Sequence, residues 1–464
     1  MSRELRVTTY RDINREVLRL AVPSILANIT IPLVGIVDVA IIGHISSAAA
    51  VGGIAVGTML FDLLYWNFGF LRVGTSGMTA QAYGRGDVPE QAKLLTQSMT
   101  IAFGGALGIW LLQWFFVTLV LYLMPCSPEV ADFARQYFFV RVWAAPATLA
   151  LFALKGWFIG MQNTIAPMIT DIVVNVVNMV ASYALAVYTP WGAIGVAWGT
   201  LIAQYTGLAT AAVILAIQYK RHLSLIQIRE SMRWGEMKHF FVLNTNLFLR
   251  SLAFMVIYVG YTIFMSAYGD TELAVSAIIM KIFMFFSYFI DGFAYAAEAM
   301  VGKAGVKTID DWTIDDLQSR GESQESRVKS QEWCKTPDVV RCVKVLSVWT
   351  IALGLVFTLL YYVFDDGLIA LMTSDPDIQL AATAYYPYLW LMPVLSAFAF
   401  MFDGVFVGAT MAIPVRNCMF ASAALFVLTY ITAAPVMGAA AMYLAYMIHL
   451  VVRTVYLCIV WFRL

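Results

Sequence analysis

The chain has 464 residues, 61% of them hydrophobic and 12% charged, and its 29 basic side chains balance 29 acidic ones. A soluble domain carries about 25% charged residues, and at half that density a soluble chain of this size would expose large apolar patches and aggregate. The neutral balance gives no basic footprint for nucleic acid, and a mean hydropathy of +0.77 points to a chain solvated by lipid.

The first residues, MSRELRVTTYRDINREVLRL, are polar and charged. They lack the short apolar core and small-residue cleavage site of a signal peptide, so the first span is expected to act as its own insertion signal. A spanning helix needs about 20 mostly apolar residues. Twelve stretches qualify, at 17–43, 49–75, 94–124, 133–156, 165–188, 192–218, 242–267, 272–302, 340–364, 382–406, 414–432 and 434–461. With the N-terminus inside, the outer connections HISSAAAV, MPCSPEVAD, YTPWG, AYGDTEL and FDDGLIALMTSDPDIQ contain no Lys or Arg. The inner segments hold Arg3, Arg6, Arg11, Arg15, Arg19, Arg85, Lys93, Lys220, Arg221, Arg229, Arg233, Lys238, Arg341, Lys344, Arg416 and Arg463. This is the positive-inside pattern. One missed or extra span would scramble it, which supports an even count with both termini cytoplasmic.

The basic amphipathic segment 219–239 separates six expected spans from six, giving lobes at 1–218 and 240–464. The halves echo each other. AVGGI (50–54) followed by GF (69–70) recurs as AVSAI (274–278) followed by GF (292–293), and the run from Pro146 through KGWFIG recurs from Pro393 as DGVFVG. An even count per half makes this a parallel repeat about an axis along the membrane normal, which suits alternating access around a central cavity. The expected fold is therefore all-α: twelve transmembrane helices in two six-helix lobes. A polar, mixed-charge insert at 303–338 breaks the symmetry. A solvated loop or short surface helix is its plain reading, and a regulatory or partner-docking element its sharper one.

A charge at mid-membrane costs about 2.5–3.5 kcal/mol on insertion scales, so each one needs a reason. In the first span Asn28, Gly35 and Asp38 share one helix face, while Pro23 and Pro32 each remove a backbone donor and are candidate hinges. In the fifth span Asp171, Asn175, Asn178 and Ser182 form one polar stripe, which must face protein or water. Its bland reading is packing glue between helices. Lys155, late in the fourth span, either snorkels to the inner surface or pairs with Asp38 or Asp171. Breaking such a pair by protonating the acid would couple proton binding to helix position. Arg72 and Arg141 are further candidate counter-ions. In the second half Lys281, Tyr288, Asp291, Tyr295 and Glu298 fall at heptad-like spacing in the eighth span, and Asp403 adds an acid in the tenth. Several acids among aromatics would suit cationic, amphipathic organic molecules, although any one aromatic is as readily a lipid-facing belt residue.

No catalytic set is persuasive. The histidines are scattered, there is no HExxH, GxSxG or Walker A loop, and the five cysteines show no CxxC spacing and read as free thiols. Neither an enzyme nor a metal site is expected. The energy for transport must come from an ion or substrate gradient.

The segments LRVGTSGMTAQAYGRGD (71–87), KGWFIGMQN (155–163), IDGFAYAAEAMVGK (290–303) and FDGVFVGATMAIPVRN (402–417) resemble the DinF-like branch of the multidrug and toxic compound extrusion (MATE) family. The resemblance covers nearly the whole chain apart from the insert. It implies two six-helix lobes, residence in the cell inner membrane, and antiport of drugs or metabolites against H+ or Na+. A monomer with no cofactor beyond the coupling ion is expected. By the same resemblance Asp38 stands where that branch keeps its cation-coupling residue, Pro23 matches its bent first helix, and Asn178 matches a fifth-span Asn near the coupling site. Two departures stand out. Archaeal members carry an Asp where this chain has Ser182, and an Asn where it has Lys155. The site has lost an acid and gained a fixed positive charge, which on Coulomb grounds disfavours Na+ and favours H+. A Lys155–Asp38 contact is the expectation. The competing function is flipping of a lipid-linked oligosaccharide, or export of an anionic metabolite. A flippase for pyrophosphate-linked lipids should line its cavity with Arg or Lys.

Overall fold

The computed structural model describes residues 9–45, 48–123, 127–306 and 336–463; the side chains of 33, 36–40, 42–45, 48–49, 51, 123, 239 and 306 are outside the description. The first helices are α1 (Tyr10–Ile45), α2 (Ala48–Trp66), α3 (Phe70–Arg85), α4 (Val88–Leu123), α5 (Pro128–Arg141), α6 (Ala145–Gly160), α7 (Ile165–Tyr188) and α8 (Ile194–Gln218). Two single turns follow, α9 (Lys220–Leu223) and α10 (Ile228–Ser231), then α11 (Trp234–Ser266) and α12 (Asp270–Val306). The chain closes with α13 (Pro337–Val363), α14 (Asp365–Met372), α15 (Pro376–Ala382), α16 (Tyr386–Gly408), α17 (Ala412–Met437) and α18 (Ala440–Arg463).

Among the described residues eleven stretches are long and apolar enough to cross a membrane, from Gly52–Arg85 to Ala440–Arg463. They match the second to twelfth expected spans in order. The first expected span falls on α1, which is helical throughout, and part of whose side chains lie outside the description. The 303–338 insert lies outside the described residues except at its two ends, and Cys126 and Cys334 are likewise outside. Cys342, Cys418 and Cys458 are free thiols.

Helix ends follow local chemistry. Ser127 caps α5 by accepting from Val130 N, with Pro128 in the first turn, where its missing N–H costs nothing. Asp375 caps α15 in the same way, accepting from Asp377 N at 2.9 Å. Gly86, at φ +71°, ends α3 in the left-handed conformation that an L side chain adopts only at a cost.

The described residues form two compact units, 26–241 and 1–25 with 242–464. One division falls within α1, two residues after Pro23, and the other within α11. The basic segment at 219–239 groups with the first of these units, and the start of α1 with the second. In the first unit Phe61, Tyr137, Phe138 and Leu149 anchor a buried core. In the second, Phe283, Phe286, Phe357, Tyr361 and Tyr443 do the same.

Each unit contains a very tight helix pair made by a GxxxG. In the first, a Cβ on Gly156 would lie 2.2 Å from the Arg72 carbonyl oxygen, and one on Gly160 2.7 Å from that of Ser76. In the second, a Cβ on Gly404 would lie 2.3 Å from the Ala294 oxygen, and one on Gly408 2.6 Å from that of Glu298. The α3–α6 and α12–α16 contacts are thus the same motif, with bare backbone on bare backbone as membrane interfaces favour. The packing equates Arg72 with Ala294, and so Phe70 with Gly292. The GF–GF match paired Gly69 with Gly292 instead, one position off. The drift arises where the 3-10 turn Asn67–Gly69 interrupts the second span while α12 runs unbroken. The proline match is likewise one position off: the same packing equates Pro146, which opens α6, with Val394, the neighbour of Pro393 inside α16.

The segment joining α8 to α11 is tied down within the first unit. His222 Nε2 lies 2.8 Å from Gln91 Oε1, Gln97 donates to the Ser231 carbonyl at 3.0 Å, and Lys93 bridges Glu90 and Glu236. Because an amide oxygen only accepts, His222 Nε2 is the donor, and its buried Nδ1 has no partner among the described residues. Burial, followed by the Arg221 charge, holds the His222 pKa below its usual value. The folded chain therefore takes up this proton at lower pH than the unfolded chain. The stabilisation is complete above the unfolded value of about 6.5 and declines as pH falls below it. Thermal melting of the purified protein should show part of its loss between about pH 7 and pH 5 disappear in His222→Gln, which cannot titrate.

Candidate functional site

In the first unit the polar stripe of α7 divides between two neighbours. Asp171 forms an ion pair with Lys155 of α6; the two side chains are 18% and 22% exposed. One turn on, Asn175 donates to Thr30 Oγ1 of α1. The next two members face α8. Asn178 Nδ2 donates to Thr200 Oγ1 at 2.9 Å and Ser182 Oγ to the Val196 carbonyl at 3.5 Å, with Gly199 packed on the Ser182 backbone. Asn178 and Ser182 therefore serve the α7–α8 seam, while Asp171 and Asn175 connect α7 to α6 and α1. The Asn178 Oδ1 atom is buried without a hydrogen-bond partner among the described residues.

Of the two partners open to Lys155, the one observed is Asp171. Asp38 lies in α1 with its side chain outside the described residues, and the expected Lys155–Asp38 contact falls outside them too. Asn28 is buried at 7% exposure. Pro23 and Pro32 are half-buried within an α1 that stays helical through both. Arg72 is half-buried and lends its carbonyl to the Gly156 contact. Arg141 donates to Tyr137 Oη at 2.9 Å and lies 4.8 Å over the Phe61 ring, a cation held by aromatic faces.

In the second unit the five α12 residues do not share one environment. Glu298 is buried at 3% exposure, with its backbone against Gly408. Tyr288, Asp291 and Tyr295 are half-buried, and Lys281 is exposed. Asp403 differs most from expectation. Its Oδ2 accepts from Arg250 of α11 at 2.7 Å and from Arg453 of α18 at 2.6 Å. The Asp403 side chain is 12% exposed, Arg250 21% and Arg453 3%. It is the centre of an ion triad, where the sequence suggested an acid offered to a cation. One turn from Arg453, His449 is fully buried, its Nδ1 2.5 Å from the Tyr446 carbonyl. Sequence reasoning missed Arg250 and Arg453, yet both lie inside expected spans (242–267 and 434–461). The rule applied to the intramembrane acids, that each needs a partner, would have found them.

Residues 23–184 match the MatE family model. Over 96% of this chain and 91% of the relative, the sequence is 33% identical to the DNA damage-inducible protein F of Escherichia coli (strain K12). It is 23% identical to Protein DETOXIFICATION 44, chloroplastic, of Arabidopsis thaliana, over 86% of this chain and 72% of that one. Among solved structures, MATE in the bent conformation superposes with a TM-score of 0.83 at 15% identity, covering 98% of this chain and 97% of that one. An outward-facing multidrug resistance MATE transporter superposes at 0.82 and 15% identity, covering 96% and 94%. Likeness at such identity speaks to the fold. The match along nearly the whole length of both chains to the Escherichia coli relative speaks to descent. The chain belongs to the MATE family of multi-pass membrane transporters.

Proposed function

We propose that this protein is a secondary antiporter that exports small amphipathic organic molecules, cationic ones among them, in exchange for protons. The Lys155–Asp171 ion pair is the observation that carries the coupling. Asp171 stands on α7, its partner ammonium on α6, and Asn175 one turn away ties the same helix to α1. A proton on Asp171 removes the charge that holds Lys155 and frees α6 from α7. A sodium ion would have to displace an ammonium already on the carboxylate, with like charges repelling at contact distance. Asp38, by its position in α1, is the second carboxylate of this coupling set, and Pro23 and Pro32 give that helix its points of bending. Export fits the names of relatives such as the probable multidrug resistance protein NorM of Caulobacter vibrioides, 30% identical over 44% of this chain.

The test is uptake of a fluorescent cationic dye into everted vesicles or proteoliposomes, under an imposed pH gradient or an imposed Na+ gradient, with Asp38→Asn as control. Uptake driven by the pH gradient and lost in Asp38→Asn is the expected result. Uptake driven only by Na+ would overturn the coupling ion, and no uptake under either gradient would overturn dye export.

A further inference from the structure

We infer that the Arg250–Asp403–Arg453 triad of the second unit is a binding site for an oxyanion, the carboxylate, sulfonate or phosphate group of a ligand. Two guanidinium groups meet one carboxylate, so the triad carries one net positive charge inside a stretch of chain that crosses a bilayer. Such a charge persists in a transport protein when it pairs with something, its own or a ligand's.

Both arginines place one terminal nitrogen on the same oxygen, Asp403 Oδ2. The Nε atoms of Arg250 and Arg453 are buried and have no hydrogen-bond partner among the described residues. A guanidinium presents five N–H donors in a planar fork matched to two oxygens of one oxyanion, and neither fork is filled by Asp403 alone. In a membrane interior, where water does not satisfy stray polar groups, unfilled donors favour a ligand that fills them.

Arg453 is enclosed: 3% exposed, bound to Asp403 and stacked 5.4 Å from the Phe400 ring. Arg250, one-fifth exposed, has Asp403 as its single ionic partner among the described residues. Arg453 is thus the enclosed cation of the triad and Arg250 the more exposed one. An incoming oxyanion would meet Arg250 first and share it with Asp403. An ammonium ligand would gain nothing here, since both neighbours of the carboxylate are already cations.

The inference goes beyond the proposed export activity, and its test needs no transport. The full-length protein is placed in phosphatidylcholine nanodiscs and titrated with radiolabelled benzoate, with benzylamine as the cationic match in size. Saturable benzoate binding without benzylamine binding is expected. Arg250→Gln should weaken it by about tenfold or more, the scale of a charge-assisted hydrogen bond, and Arg250→Lys should weaken it less. Should Arg250→Gln fail to fold, the wild-type protein still decides: benzoate must protect Arg250 from modification by phenylglyoxal, read by peptide mass. Loss of benzoate binding in phosphatidylglycerol discs would assign the oxyanion to a lipid headgroup, and its retention to a soluble ligand. Absence of saturable binding, equal binding of benzylamine, undiminished binding in Arg250→Gln, or no protection of Arg250 would each overturn the site.

Discussion

Alanine at Gly404 should lower the melting temperature of the detergent-solubilised protein more than any other single methyl group added to α16. The new Cβ would stand 2.3 Å from the Ala294 carbonyl oxygen and 3.0 Å from its carbonyl carbon. Both are backbone atoms of α12, so no side chain can turn aside. The helices must part, and α16 also carries Asp403 one residue earlier, so the triad with Arg250 and Arg453 is strained together with the seam. Overpacking of this kind costs about 1–3 kcal/mol, and more where backbone cannot yield. Gly156→Ala, 2.2 Å from the Arg72 oxygen, should do the same to the first unit. Gly108→Ala is the control. Nothing lies within 4 Å of its Cβ position, and alanine is the better helix former by about 1 kcal/mol. A melting curve of Gly404→Ala that overlays the wild type would refute the backbone-to-backbone account of both seams.

The second large effect concerns the ion pair of the first unit. Asp171→Asn keeps the shape of the side chain and removes the charge that holds Lys155. Uptake driven by a pH gradient should fall by more than about tenfold, equivalent to at least 1.4 kcal/mol of lost coupling. Downhill dye exchange should persist, because the variant imitates the protonated state permanently. A purely structural role would depress both together. Lys155→Ala is the complementary change. It leaves the Asp171 carboxylate without its ammonium, and in that variant external Na+ should alter the uptake rate where in the wild type it does not. If Na+ has no influence on Lys155→Ala, the ammonium is not what keeps sodium out. Neither variant should unfold the protein. An unpaired charge deep in a bilayer costs about 2.5–3.5 kcal/mol, but both side chains are partly exposed, and the long Lys155 stem can carry the ammonium left by Asp171→Asn toward the surface.

The number, order and approximate limits of the spans were legible in the sequence because bilayer thickness imposes a length on every apolar run and loop charge imposes an alternation. The GxxxG seams were legible as a repeated motif, though not in register. The 3-10 turn at Asn67–Gly69 changes the residue count along one helix without leaving a distinctive composition. Lys155 and Asp171 could be named as partners, since both are ionisable and internal. Lys155 had two acids within reach, and choosing between Asp38 and Asp171 takes side-chain directions that spacing alone does not supply. The α7 stripe read as continuous because spacing gives the angle around a helix and says nothing of which neighbour fills it. Asn178 and Ser182 went to α8, Asp171 and Asn175 to α6 and α1. Asp403 looked available to a cation because its partners are 153 and 50 residues away in the chain. Such pairings across sequence are the part of a membrane protein that only the fold discloses.

The bare-backbone seams also govern which changes inheritance can try. Every single-base change in a glycine codon that alters the amino acid yields alanine, serine, cysteine, valine, arginine, aspartate, glutamate, tryptophan or a stop. Each of these amino acids brings a Cβ. At Gly156 and Gly404 that atom would land within 2.3 Å of a carbonyl oxygen, so no one-step substitution avoids the collision. The opposing residues are not bound in this way, because Arg72 and Ala294 contribute carbonyls that every amino acid possesses. Variation should therefore accumulate on α3 and α12 opposite these glycines while the glycines stay fixed. In a library of random point variants selected for function, the two sides of each seam should differ sharply in how many survivors they yield.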